Sequence, residues 1–101
     1  MRDAVDRIEV ENPNTPGRTE RLHRKKYEAM RDALLPVLPD NPPGLKVADA
    51  KEALLPHLDE TLFPGGAKAG WWLKAVQLDL EAKKIIARAE GSPVRLYRCT
   101  Q

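Results

Sequence analysis

The sequence predicts an α+β fold, on three observations. After Gly65 and Gly66 the apolar residues recur at helical spacing as far as Leu80. Past Lys84 the period shortens to that of extended chain. A Glu90, Gly91, Ser92, Pro93 cluster then separates two runs rich in β formers, Ile85 to Arg88 and Val94 to Cys99. With two more helical segments ahead of it, this order is the outline of a winged helix: three helices and a two-stranded wing. The boundaries expected are an extended N-terminal arm at residues 1–20 and a winged-helix domain at 21–101. The outline suggests a nucleic-acid reader, but a fold alone does not establish a function.

In the arm, Arg7, Ile8, Glu9 and Val10 alternate, and Asn12, Pro13, Asn14, Thr15, Pro16 and Gly17 follow. Two prolines and a glycine so close together forbid a helix, so the segment reads as an arm lying over the domain, with a short strand at Ile8 to Val10. A first helix is expected over Arg21 to Leu38, where Tyr27, Met30, Leu34, Val37 and Leu38 share one face and Lys25, Glu28 and Asp32 the other. Pro36 removes an amide donor from its last turn, so the helix should end or kink near Leu35, and Pro39, Pro42 and Pro43 prevent its resumption. A second helix fits Val47 to Leu55, with Val47, Ala50 and Leu54 inward and Pro56 closing it. Asp59 to Pro64 fits one helical turn that pins Leu62 and Phe63 into the core.

The third helix carries the most information. At about 100° per residue, Ala69, Trp72, Leu73, Val76 and Leu80 form one buried stripe. Lys74, Gln77, Glu81 and Lys84 form a polar flank. Trp71, Ala75, Leu78 and Ala82 make a second apolar line almost opposite the first, and a lone domain needs only one. Three covers are open for this second line: the N-terminal arm through Ile8 and Val10, a homodimer or partner contact, and base stacking on Trp71.

Composition sets the outer limits. At 101 residues with 42% apolar and 32% charged residues, the chain is long enough for one modest core and no second domain. No apolar run approaches the roughly 20 residues of a membrane span. The first residues are acidic where a signal peptide needs a basic start, so the expected location is cytoplasmic and no membrane partner is expected. Cys99, the single cysteine, excludes an internal disulfide and reads as a small apolar filler. Net charge is only +2, but it is unevenly spread: basic residues dominate between Arg18 and Arg31 and again from Lys68 on, and acid dominates between Asp32 and Glu60. Such asymmetry points to a charged partner or to ordinary solvated faces of mixed sign.

Catalytic chemistry is not expected. Ser92 sits alone in the wing turn, and His23 and His57 fall on different helices, so no nucleophile and base converge. One cysteine and two separated histidines lack metal-ligand spacing, and no cofactor motif is present. The GGAKAG stretch departs from the nucleotide-hydrolysing loop because Gly70 is followed by Trp71 instead of lysine and a hydroxyl residue. Its remaining potential is as a landing place for one backbone phosphate at the helix start beside Lys68, against the plainer reading of a sharp turn.

The residues also carry a resemblance. NPN and PGR near the start, KYEAMRDALL in the first helix and LPHLDETLFPGGAKAGWWLKAVQLDLEAKKIIAR resemble an uncharacterised family of small bacterial proteins with winged helix-turn-helix character, from Glu11 on. No activity comes with that resemblance. Trp72 to Arg98 is similar to the recognition helix and wing of many bacterial transcription regulators and restriction-associated winged domains. Those usually close the helix with a lysine-glycine pair; here Lys83 and Lys84 precede Ile85 with no glycine, which leaves the helix cap open.

Two functions follow. In the first, a non-enzymatic regulator reads double-stranded DNA with Lys68, Lys74 and Gln77 from the third helix, Gln77 pairing with an adenine edge, while Arg88, Arg95 and Arg98 serve the wing. Asp79 and Glu81, expected near the same surface, oppose it by repelling phosphate. In the second, the line of Trp71, Ala75, Leu78 and Ala82 binds a protein partner or a second copy, without nucleic acid.

Overall fold

The computed structural model describes residues 6–99 and is an α+β chain with three α-helices and two small antiparallel sheets. Residues 1–5 of the expected arm and residues 100–101 lie outside the described residues. The alternating Arg7–Glu11 (β1) pairs with Thr19–His23 (β2) in a register running from Arg7 opposite His23 to Glu11 opposite Thr19. The loop between them is built by its turn residues: Asn14 N–H donates to Asn12 Oδ1 at 2.8 Å, and Gly17 supplies a φ of 86°. The arm is therefore a hairpin, and its second strand runs across the boundary expected at residue 20.

That hairpin also moves the first helix. α1 spans Arg24–Leu34 and not Arg21 to Leu38, because Arg21 to His23 are taken by the pairing with β1. Its first turn is capped by His23, whose Nδ1 accepts from Lys26 N–H at 3.4 Å. Its far end tightens at Pro36 into a 3₁₀ turn over Leu35–Val37, as a missing amide donor requires. Leu45–Lys46 (β3) then leads into α2, Val47–Leu54, and Pro56 closes it with a second 3₁₀ turn. Asp59 gathers the next turn by accepting the Thr61 N–H at 2.7 Å, which seats Phe63 in the core.

α3 spans Ala69–Ala82. Its end is closed by a left-handed lysine: Lys84 has φ 62°, its N–H donates to Glu81 O at 3.0 Å, and Ile85 N–H donates to Leu80 O at 2.9 Å. This is the paired hydrogen-bond pattern that usually employs glycine, performed here by Lys84. The chain returns through Ile86–Arg88 (β4) and Arg95–Arg98 (β5), which pair antiparallel. β3 adds to the outer edge of β5, giving the order β3-β5-β4. Gly44 allows that closure, since a Cβ there would lie 2.3 Å from Leu96 O.

The core lies between α1, α2, α3 and this sheet, with Met30, Leu34, Leu54, Val76, Leu80 and Leu96 all buried. Trp72 is 8% exposed and meets Phe63 edge to face at 6.3 Å. Among the described residues no helix is long and apolar enough to cross a membrane.

Candidate partner-binding face

α3 is enclosed on more sides than its apolar stripe requires. Val10 is buried in the core and Ile8 packs against it, so β1 lies along the helix and half-covers its second apolar line. The anchor is a buried charge. Asp79 is 0% exposed; it accepts the Glu11 N–H at 2.8 Å, the Tyr27 hydroxyl, and Lys83 Nζ at 2.6 and 2.8 Å to its two oxygens. A carboxylate out of water needs such partners, and these come from β1, from α1 and from Lys83, which caps the end of α3. Burial raises the Tyr27 phenol above its ordinary range, and the hydrogen bond to Asp79 and its charge raise it further. The hydroxyl therefore stays protonated and keeps donating. Asp79 is a fastener of the fold and not, as expected, an acidic residue on an exposed groove-facing surface.

Two of the four residues of the polar flank expected on α3, Gln77 and Glu81, are also occupied. Gln77 is 3% exposed, and its Nε2 donates to Glu81 Oε2 at 2.8 Å. The other oxygen of Glu81 accepts from Arg88 Nε at 2.7 Å, so the carboxylate joins Gln77 to β4 and makes no pair with Lys84. Gln77 is thus withdrawn from the surface on which an adenine reader would have to stand, because β4 folds back along the end of the helix.

The other sequence-derived candidates are scattered. Arg98 lies with its Nε 2.8 Å from Asp40 Oδ1, and Arg95 sits half-buried opposite Lys46. Lys68 is exposed just ahead of α3 in a left-handed conformation. The amides preceding it are already used: Gly65 N–H donates to Glu60 Oε2 at 2.8 Å, Gly66 N–H to Phe63 O and Ala67 N–H to Pro64 O. These three spent donors precede the helix, whose first turn, the expected phosphate landing, begins at Ala69. Ser92 is exposed in the β4 to β5 turn, His23 is spent on capping α1, and His57 is exposed in its 3₁₀ turn.

What the structure does bring together is a cleft of about 380 Å³ between the hairpin and α3. Trp71, Lys74, Ala75 and Leu78 line its helix side, and Val10, Glu11, Glu20 and Leu22 its hairpin side, with Arg18 at the loop. Leu78 is nearly closed off while Ala75 and Ala82 are half-buried, and Trp71 remains 55% exposed, resting edge to face against Trp72 at 5.1 Å. Among the described residues, Glu11, Arg18, Glu20 and Lys74 form no ion pair with one another or with any other side chain. Sequence reasoning found the helix side of this cleft and missed the hairpin side. The signal was present, since RIEVE and TERLH flank a loop rich in Asn, Pro and Gly, which is hairpin chemistry.

The profile of a family of unknown function (DUF6958) matches residues 7–96. The chain belongs to DUF6958. The match starts at the first residue of β1 and ends within β5, so the hairpin belongs to the shared unit of DUF6958 and is not an appendage to it. Comparison with the curated proteins and with the solved structures gives no significant match.

Proposed function

We propose that this DUF6958 chain is a winged-helix module that works without catalysis, by docking another protein chain on the face formed by α3 and the β1–β2 hairpin. The winged-helix reading is supported by the order α1, β3, α2, α3, β4, β5 and by the sheet order β3-β5-β4, with the loop between β4 and β5 as the wing. The observation that carries the function is Trp71, more than half exposed beside a cleft whose floor is Leu78. A large aromatic held at the edge of a partly apolar depression is the residue type that anchors protein interfaces.

The same face argues against reading duplex DNA. The outward side of α3, which would enter a groove, carries the exposed Trp71 and the half-buried Ala75, while the amide suited to adenine is buried at Gln77 and two of the three wing arginines are matched by Glu81 and Asp40.

The test is a photo-crosslinking side chain at Trp71, with a control at exposed Glu52 on α2, in the cell that makes the protein, alongside a titration with duplex DNA at two salt concentrations. A discrete protein adduct from position 71 alone, with no steep salt dependence, is expected. The reading is overturned by the absence of an adduct. It is equally overturned by duplex binding whose log-log salt slope falls by about 0.9 for each phosphate set free when Lys68, Lys74 and Arg95 are changed to alanine.

A further inference from the structure

Resting on that docking reading, we infer that the docked chain binds as an added β-strand: an extended segment of another protein pairs antiparallel with the outer edge of β2 and lays every second side chain over the cleft beside Trp71.

The backbone shows which edge is open. In an antiparallel pair, alternate residues turn their N–H and C=O toward the neighbouring strand, and the residues between them turn theirs away. Arg24 N–H donates to Asp6 O at 2.8 Å, one step beyond the β1–β2 register, so the inward set is Asp6, Ile8 and Val10 on one side with Glu20, Leu22 and Arg24 on the other. Glu11 belongs to the outward set of β1, and its N–H accordingly turns away from β2 to meet Asp79 of α3 at 2.8 Å. The outward set of β2 is Thr19, Arg21 and His23. The outer edge of β1 is thus met by α3, whereas among the described residues no strand pairs with the outer edge of β2, where Thr19 and Arg21 are exposed.

The side chains decide what an added strand must carry. Val10, Glu20 and Leu22 line the cleft from the hairpin, and Trp71 lines it from α3. Cross-strand neighbours share a face, so side chains set opposite Glu20 and Leu22 join this cleft, while the one between them, opposite Arg21, lies on the other face. Glu20 and Arg21 form no ion pair among the described residues. A basic residue opposite Glu20, an acidic residue opposite Arg21 and an aromatic residue opposite Leu22 complement the edge. A second copy of β2 does not, since the register that pairs all five of its residues sets Arg21 against the partner's Arg21, and like charges directly opposite are unfavourable. Main-chain pairing then supplies affinity and the alternate side chains supply specificity.

The probe is a synthetic peptide with blocked ends, Ser-Thr-Phe-Glu-Lys-Thr-Ser, which antiparallel to β2 sets its Phe opposite Leu22, its Glu opposite Arg21 and its Lys opposite Glu20. Titration into the full-length chain, followed by tryptophan fluorescence and amide exchange, should show saturable binding that slows exchange of the Arg21 N–H. N-methylation of the peptide's Glu, whose N–H points at Arg21, should weaken binding by about tenfold or more, and N-methylation of its Lys, whose N–H points away, by about threefold or less. These changes leave the protein untouched. Arg21→Pro removes only an outward N–H, keeps the β1–β2 ladder and should abolish binding, whereas Arg21→Ala keeps the N–H and should weaken it by about fivefold or less. No binding at millimolar peptide, or binding indifferent to the methyl group on Glu, overturns strand addition. The crosslink at Trp71 then separates the cases, since a protein adduct that persists in Arg21→Pro preserves the docking face without the added strand. A full-length chain that sediments as a dimer and loses the dimer on Arg21→Pro makes a second copy the occupant, which also overturns the proposal.

Discussion

The backbone N–H of Glu11 donates to the buried carboxylate of Asp79 at 2.8 Å, across 68 positions of sequence. Through this bond the N-terminal hairpin is tied to the middle of the third helix. The same carboxylate holds the Tyr27 hydroxyl of α1 and Lys83, the residue that caps its own helix, so β1, α1 and the end of α3 share one acceptor. Asp79→Ala leaves the buried Tyr27 hydroxyl and the Glu11 N–H without an acceptor, while Lys83, which reaches the site from the surface, loses its ion pair. A loss of about 3 to 5 kcal/mol is expected, read as the shift in urea midpoint.

The Tyr27 phenol gives this site a pH signature. Its folded-state value lies above the ordinary value of 10.0, so the folded protein favours the protonated form more strongly than the unfolded chain does. That contribution is fully present below about pH 10 and is lost as pH rises beyond it, while the unfolded tyrosine ionises and the folded one does not. Tyr27→Phe should cost about 1 to 2 kcal/mol at pH 7 through the missing hydrogen bond. The gap between the two proteins should narrow at pH 11, and a gap that stays constant or widens refutes the assignment.

The hairpin is expected to be part of the cooperative fold. Val10→Ala removes two buried methyl groups and should lower stability by about 2 kcal/mol. Deleting residues 1 to 17 removes β1 altogether, unmasks Leu78 and leaves Asp79 short of a donor. The truncated chain should melt far lower or aggregate, and an unchanged melting temperature would show that the hairpin is not its cover.

Adjacent tryptophans should differ sharply. Trp72→Ala empties a core site against Phe63 and should cost about 3 to 5 kcal/mol. Trp71→Ala, like Lys74→Ala, should change the stability of the folded unit by about 0.5 kcal/mol or less, measured at a concentration where the chain is monomeric. Equal midpoints for the two tryptophan variants would contradict the helix register.

Lys84 is a site for stabilisation. It holds a left-handed conformation that costs a residue with a Cβ about 1 kcal/mol, in a cap where glycine is at ease. Lys84→Gly should raise stability by about 0.5 to 1 kcal/mol, visible as a higher midpoint in thermal or urea unfolding. A lower midpoint would mean that the lysine side chain contributes interactions worth more than the strain.

Whatever depends on neighbours along the chain is legible in the order of residues. Helical spacing places Trp72, Val76 and Leu80 inward, Pro36 and Pro56 end their helices, and the turn cluster at Glu90 to Pro93 sets the β4–β5 ribbon. The second apolar line on α3 is equally legible, because its period is a property of one helix. Pairing across distance is settled only in the folded molecule. Thr19 to His23 is a strand only because β1 is beside it, and Leu45 and Lys46 only because β5 is. Gln77 and Asp79 look like surface residues in a helical projection, and they are buried because β1, α1 and β4 bring Glu11, Tyr27 and Arg88 to the same helix. A polar side chain can leave water only when its hydrogen-bond partners travel with it, and a one-dimensional pattern does not record which distant groups those are.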